Sequence, residues 1–147
     1  MKTALTFLLA WVLGTVPAWA VLGEYVASVD SDQKVMHGEV RALTLQGYSV
    51  QQITGADRTV VKEYISPAGL VFGISWQGPV MPNLQQLLGS YFADFQQAAQ
   101  SRVRRRGPLV VRTDKLVVES GGHMRSFHGR AYVPTLLPNK PSAEVVR

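Results

Sequence analysis

Four short runs of strand-forming residues in the first half of the sequence constrain the fold most strongly. They are rich in Val, Ile, Thr, Tyr and Phe, and short turn sequences such as SPAG (66–69) separate them. In that turn, proline fixes φ at the first central position and glycine accepts the left-handed conformation that follows. Strands joined by such short turns run antiparallel, so the pattern predicts a β-meander. The predicted strands are residues 39–45, 48–54, 59–66 and 70–76.

The fourth run, LVFGISW, alternates large apolar residues with smaller ones. Because successive side chains of a strand point to opposite faces of the sheet, one face of this run is expected to belong to the core. The residues predicted to share that face are Leu70, Phe72, Ile74 and Trp76.

The apolar period changes from two to 3.6 residues after this strand, which predicts a helix over residues 83–100. Asn83 is a suitable N-cap for it. Three further strands are predicted at residues 108–113, 115–121 and 124–133. The expected fold is α+β, a mainly antiparallel β-meander sheet of about four to seven strands with one long amphipathic helix packed on one face. The apolar stripe of the helix consists of Leu84, Leu87, Leu88, Tyr91, Phe92 and Phe95.

The first 20 residues have the pattern of a secretory signal peptide. Lys2 precedes an apolar run at residues 4–13, and Ala18-Trp19-Ala20 forms a small-x-small cleavage pattern. The apolar run is shorter than the roughly 20 residues of a membrane span. We therefore predict an exported protein with an irregular lead-in at 21–37, a single α+β domain at 38–133 and a proline-rich tail at 134–147.

Two features of the composition restrict the chemistry. The chain has no cysteine, so it has neither a disulfide framework nor a thiolate nucleophile, and it must fold by packing alone. Its net charge is +5, and only Lys2 of the basic residues lies in the predicted signal peptide. After export the anions that such a protein meets are those of envelope polymers and proteins, so we predict no nucleic-acid partner.

Part of the positive charge lies in one short segment between the predicted helix and the next strand. One interpretation is a solvated connector that complements the negative end of the helix, and the other is an anion-binding basic loop. The sequence alone favours the connector. The segment contains Arg102, Arg104, Arg105 and Arg106.

Residues that suit catalysis are few. His123 and His128 are five positions apart, which places them on opposite faces of a regular strand, and His37 is distant in sequence. We therefore predict no metal site and no cofactor. A small hydrolase that uses His123 with Ser120 or Glu119 is the alternative, although adjacent residues rarely reach the geometry that a general base needs.

Trp76 and Gln77 mark the exit from the fourth strand and form a candidate ligand site. A tryptophan beside an amide side chain and a glycine can stack on a sugar or a peptide. The alternative is a core tryptophan, and its phase with Phe72 and Ile74 favours that alternative.

Two stretches are distinctive in the order and spacing of their residues. They are EYISPAGLVFGISWQGPVMPNLQQLLGSYF (63–92) and VVESGGHMRSFHGRAYVP (117–134). Through them the chain resembles a bacterial family, the domain of unknown function 2844. The resemblance covers nearly all of the chain after the signal peptide and implies a single exported domain, periplasmic or extracellular, from a Gram-negative bacterium. It implies no activity and therefore no catalytic residue.

Three residues of the second stretch are not explained by packing alone: His123, Arg125 and Arg130. A half-buried arginine needs a carboxylate or carbonyl partner. We predict that Arg125 or Arg130 pairs with Glu63 or Glu119, either as a structural network or as part of an anion or peptide-carboxylate pocket.

Taken together, the sequence predicts a non-enzymatic binding or accessory protein that acts on an anionic envelope polymer or a periplasmic protein. A small hydrolase that uses His123 with Ser120 or Glu119 remains one alternative. A structural subunit of an envelope assembly is another, and it would show an exposed apolar patch or an open sheet edge.

Overall fold

The computed structural model describes residues 22–25, 39–101, 107–138 and 143–147. In these ranges the chain forms one seven-stranded antiparallel sheet with the strand order β1-β2-β3-β4-β7-β6-β5. The strands are β1 (Glu39–Leu45), β2 (Tyr48–Thr54), β3 (Val60–Ile65), β4 (Val71–Gly78), β5 (Leu109–Arg112), β6 (Val117–His123) and β7 (Ser126–Tyr132).

The sheet consists of two meanders that meet at its centre. Strands β1 to β4 form the first and β5 to β7 the second, and β4 pairs with β7. A helical crossover leads from β4 to the far edge at β5, and each strand of the second meander then pairs with the one before it. The predicted α+β fold with one long helical segment and an antiparallel sheet is confirmed.

The helical segment has two parts, α1 (Leu84–Leu88) and α2 (Phe92–Gln100), joined by a 3₁₀ turn at Gly89–Tyr91. The side chain of Asn83 accepts a hydrogen bond from the backbone N–H of Gln86 at 3.2 Å, which confirms the predicted N-cap. Gly89 has a φ of 48°, a value that glycine adopts without steric cost, so it permits the change of helix type. All six residues of the predicted apolar stripe pack into the core on this side of the sheet.

The sheet carries a separate apolar cluster on each face. The larger lies under the helices and includes Trp76, Leu88 and Val118. The smaller lies on the opposite face, which we call the open face, and centres on Tyr64, Phe72 and Val146.

The predicted phase of β4 is wrong at Phe72. The register passes from Tyr64↔Gly73 to Ile65↔Val71, so Phe72 is an extra residue opposite β3 and forms a β-bulge. As a result Phe72 packs in the cluster of the open face, whereas Ile74 and Trp76 pack under the helices. The strict alternation that the prediction assumed does not continue through a bulge.

Two segments expected to lie outside the core contribute to it. Leu22, in the lead-in, is fully buried, and its N–H donates to Leu87 O at 3.2 Å. Val146, in the predicted proline-rich tail, is also fully buried, because it fills a socket above Gly73. The segment at residues 134–147 therefore contributes Val146 to the core.

Several sequence predictions fall outside the described residues. They concern the signal peptide, most of the lead-in with His37, and the basic segment at Arg102, Arg104, Arg105 and Arg106. In the described part of the chain, no helix has the length and hydrophobicity needed to cross a bilayer.

Candidate functional site

The open face is organised as transverse rows, because paired residues of neighbouring strands share a face. The row nearest the small cluster is aromatic and contains Val50, Tyr64, Gly73 and Tyr132. The next, which we call the charged row, contains Arg41, Gln52, Lys62, Ser75, Arg130 and Glu119. The outer row contains Thr54, Val60, Gln77, His128 and Gly121.

A trough of about 750 Å³ lies over the charged and outer rows. Ser75 and Gly121 line the bottom of the trough, where these small residues leave space between longer neighbours. Arg58 from the β2–β3 turn and Val146 and Arg147 from the end of the sequence also line it. Its volume falls within the range of pockets that hold small organic ligands.

One end of the charged row is a cluster in which two arginines share one carboxylate. Glu119 accepts hydrogen bonds from Arg130 Nε at 2.8 Å and from Arg112 Nη2 at 2.9 Å. Hydrogen bonds from Arg112 first, and then from Arg130, hold the pKa of the Glu119 carboxyl below its ordinary value. The predicted pairing of Arg130 with Glu119 is confirmed, and Arg112 is a second partner that the sequence did not indicate.

The stability of the fold should depend on pH through Glu119. Its pKa is lowered in the folded state, so the cluster stabilises fully above the unfolded pKa of about 4.3 and loses this contribution as the pH falls through the lower folded pKa. Urea unfolding of the parent and of Glu119→Gln between about pH 7 and about pH 2 tests this. We expect the variant to be less stable at neutral pH and the difference to narrow in acid. A difference in the free energy of unfolding that stayed constant over this pH range would contradict the role of Glu119.

Lys62 differs from the other cations of the charged row. Arg41 pairs with Glu39 at 3.0 Å, and Arg130 pairs with Glu119 at 2.7 Å. Lys62 has no ion-pair partner among the described residues, and its neighbours in the row are the uncharged Gln52 and Ser75. Arg58, at the mouth of the trough, likewise has no ion pair there. The trough thus has a surplus of positive charge around Ser75.

The final described segment, residues 143–147, crosses the open face beside the trough, and we call it the strap. Its backbone is held at Tyr64, whose hydroxyl accepts from Arg147 N at 2.9 Å and donates to Arg147 O. Arg130 also donates to Val146 O, at 3.4 Å. The strap therefore closes the aromatic end of the trough.

The candidate residues named from the sequence separate into three locations. Arg130, Gln77 and His128 reach the trough. Trp76 belongs to the lining of the trough, but it is only 2 % exposed and its indole covers Gly129 under the helices, so stacking on a sugar is not available to it in this arrangement. His123 and Arg125 are exposed at the β6–β7 turn, outside the trough lining.

The proposed catalytic pair does not come together. Ser120 is buried on the face covered by the helices, whereas Glu119 points to the open face and His123 lies at the end of β6. Ser120 and His123 are three residues apart on one strand, so they point to opposite faces at a separation of about 10 Å. Among the described residues, no group of three metal-ligating side chains converges either.

Sequence reasoning missed Lys62, Ser75 and the strap, and it misplaced Glu63. Glu63, predicted as a candidate partner of Arg125 or Arg130, is fully buried on the face covered by the helices, opposite the face that carries Arg130. The sequence did contain a signal for the pairing of Lys62 with Ser75. The two residues become partners when the predicted β3 and β4 are paired across the turn at residues 66–69. The bulge at Phe72 is what made that pairing uncertain from sequence.

The fold and the site define a class of protein: an α+β domain in which a helical segment covers one face of an antiparallel sheet and a cationic trough lies on the other. The chain belongs to the family described as "Protein of unknown function (DUF2844)", whose model matches residues 18–146. This confirms the resemblance found in the sequence. No curated protein matches the chain, and no solved structure matches it.

Proposed function

We propose that this protein is an exported, non-enzymatic binding protein of the periplasm or the extracellular space, and that its trough captures an acidic group of an envelope polymer or a partner protein. The observation that supports the proposal best is Lys62, a cation without a carboxylate partner among the described residues, in a row whose other cations are paired.

The geometry of the charged row suits an acidic ligand. Ser75 lies between Lys62 and Arg130, and adjacent strands are about 4.8 Å apart, so the two cationic side chains start about 10 Å from each other. An anionic group placed above Ser75 is within reach of both side chains. The hydrogen bond to Glu119 already restricts the side chain of Arg130. Binding of a ligand to Arg130 therefore costs little additional conformational entropy.

The rest of the trough is mixed in character. Gln77 and His128 offer neutral polar contacts in the outer row, and Val60, Val110 and Pro108 provide apolar walls. A few polar groups set among apolar walls are typical of ligand sites. No catalytic step is needed to explain any of these residues.

Binding of soluble acidic polymers to the protein without residues 1–20 tests the proposal, with polyglutamate and polygalacturonate as probes. We expect the parent to bind at least one of them in a salt-dependent manner. Lys62→Gln should weaken that binding by about tenfold, which corresponds to about 1.4 kcal/mol. Lys115→Gln is the matched control, because it removes the same charge from an exposed turn outside the trough. Equal weakening by both variants, or no effect of either, would contradict a site at Lys62.

A further inference from the structure

The strap occupies a site that is built to hold a peptide. Val146 is fully buried against the small cluster of the open face. A Cβ atom at Gly73 would lie 2.6 Å from Val146 Cγ2, so the absence of a side chain at Gly73 makes room for that valine. The result is a socket for a branched aliphatic side chain at the head of the trough.

Polar groups around the socket contact the backbone of the strap. The Tyr64 hydroxyl accepts from the N–H and donates to the C=O of the same residue, Arg147. Arg130 donates to the carbonyl oxygen of Val146. An N–H and a C=O offered side by side are features of a polypeptide, which a uronic-acid polymer does not present in this form.

The backbone of the residue after the socket lies close to the charged row. Tyr64, which holds the backbone of Arg147, also contacts Ser75 Oγ at 3.3 Å, so this backbone lies one side chain away from the centre of the row. In the strap the residue at that position is Arg147, whose side chain is positively charged. Its guanidinium Nε donates to Glu144 O at 2.6 Å, and the side chain is 76 % exposed, so it is held by its own segment and not by an acidic partner in the row.

We propose that the ligand of the trough is a peptide segment of a partner protein, in which a valine- or isoleucine-sized residue is followed by an acidic residue, and that this segment replaces the strap. The inference rests on the proposed anion-binding function and specifies its ligand class. The aliphatic residue enters the socket at Gly73, its backbone takes the contacts of Tyr64 and Arg130, and the acidic side chain lies between Lys62 and Arg130.

Two labelled peptides test this inference. One has the strap sequence Ala-Glu-Val-Val-Arg and the other is Ala-Glu-Val-Val-Glu, which replaces the cation by an acid. We expect the acidic peptide to bind more tightly than the strap sequence, and Lys62→Gln to remove most of that preference. Deletion of residues 143–147 should tighten binding of the acidic peptide by about tenfold or more, because the apparent affinity rises as the fraction of open sites rises.

A milder variant keeps the test valid if the deletion impairs folding. Val146→Thr retains the shape of the valine but places a hydroxyl in an apolar socket, so it should loosen the strap and tighten peptide binding to a smaller extent. If a folded Val146→Thr protein bound the acidic peptide no better than the parent, the strap would not compete with the ligand and the inference would be wrong.

Polygalacturonate separates this inference from the proposed function. Polymer binding that depends on Lys62, together with no binding of either peptide, would overturn the peptide assignment and leave the anion-binding function in place. If neither the polymers nor the peptides respond to Lys62→Gln, both proposals fail. Peptide binding that depends on Lys62 and on the strap supports both.

Discussion

Replacing Gly129 with alanine is expected to lower the free energy of unfolding by about 1–3 kcal/mol, although the change adds only one methyl group. The indole of Trp76 lies directly over Gly129, and a Cβ atom there would overlap the ring and would lie 2.6 Å from the carbonyl oxygen of Glu119. Trp76 is buried under the helices, so it has little room to move. Urea unfolding of Gly129→Ala measures the loss.

A double-mutant cycle identifies the cause of this loss. Trp76→Leu removes the overlapping ring, so Gly129→Ala should be less destabilising in that background, with the remainder due to the carbonyl of Glu119. Gly121→Ala is the matched control on the neighbouring strand, because the nearest atom to a Cβ there belongs to the exposed ring of His128. We expect that control to change stability by about 0.5 kcal/mol or less. If the two substitutions at Gly129 and Trp76 were simply additive, packing of the indole against Gly129 would not explain the loss.

The elements of this fold could be predicted from the sequence because their signals are local. The apolar stripe from Leu84 to Phe95 repeats with a period that only a helix satisfies. All its members pack into the cluster between the helical segment and the sheet, as predicted. The turn at residues 66–69 combines proline and glycine at the positions that a tight turn requires. Each of these signals involves residues that are close in the chain.

The bulge at Phe72 could not be predicted in this way. A bulge is defined by the pairing of two strands, and the run LVFGISW alternates equally well with or without it. The consequence is large, since the bulge transfers one aromatic ring to the open face and so creates the small cluster into which Val146 packs.

The candidate site was predicted in part for the same reason. Arg130 and Glu119 lie on β7 and β6, which a short hairpin connects, so their pairing is nearly local. The pairing of Lys62 with Ser75, and of Ser75 with Arg130, requires the order β3-β4-β7, which brings together residues more than fifty positions apart. The contact of the strap with Tyr64 spans a still longer separation, and no sequence pattern indicates it.

Arg130→Ala is expected to lower the free energy of unfolding by about 1–3 kcal/mol. Its side chain is 30 % exposed and that of Glu119 is 23 % exposed, so the pair lies between a solvated bridge, which contributes about 0–1 kcal/mol, and a buried one, whose disruption costs about 3–5 kcal/mol. Arg112 remains beside Glu119 in the variant, which keeps the loss below the buried limit.

Arg125→Ala is the control from the same segment. Arg125 is exposed in the turn between β6 and β7 and has no ion pair among the described residues, so alanine there should change stability by about 0.5 kcal/mol or less. In a Glu119→Gln background, Arg130→Ala should cost less than in the parent, because the charged partner is already gone.

The opposite outcome would change the interpretation of the charged row. If Arg130→Ala unfolded at the same urea concentration as the parent but no longer bound an acidic peptide, Arg130 would serve the ligand and not the fold. Loss of both stability and binding is what the geometry implies, since the same guanidinium contacts Glu119 and the carbonyl oxygen of Val146. In that case the arginine both fixes β7 to β6 through Glu119 and supplies the backbone contact that the bound segment takes over from the strap.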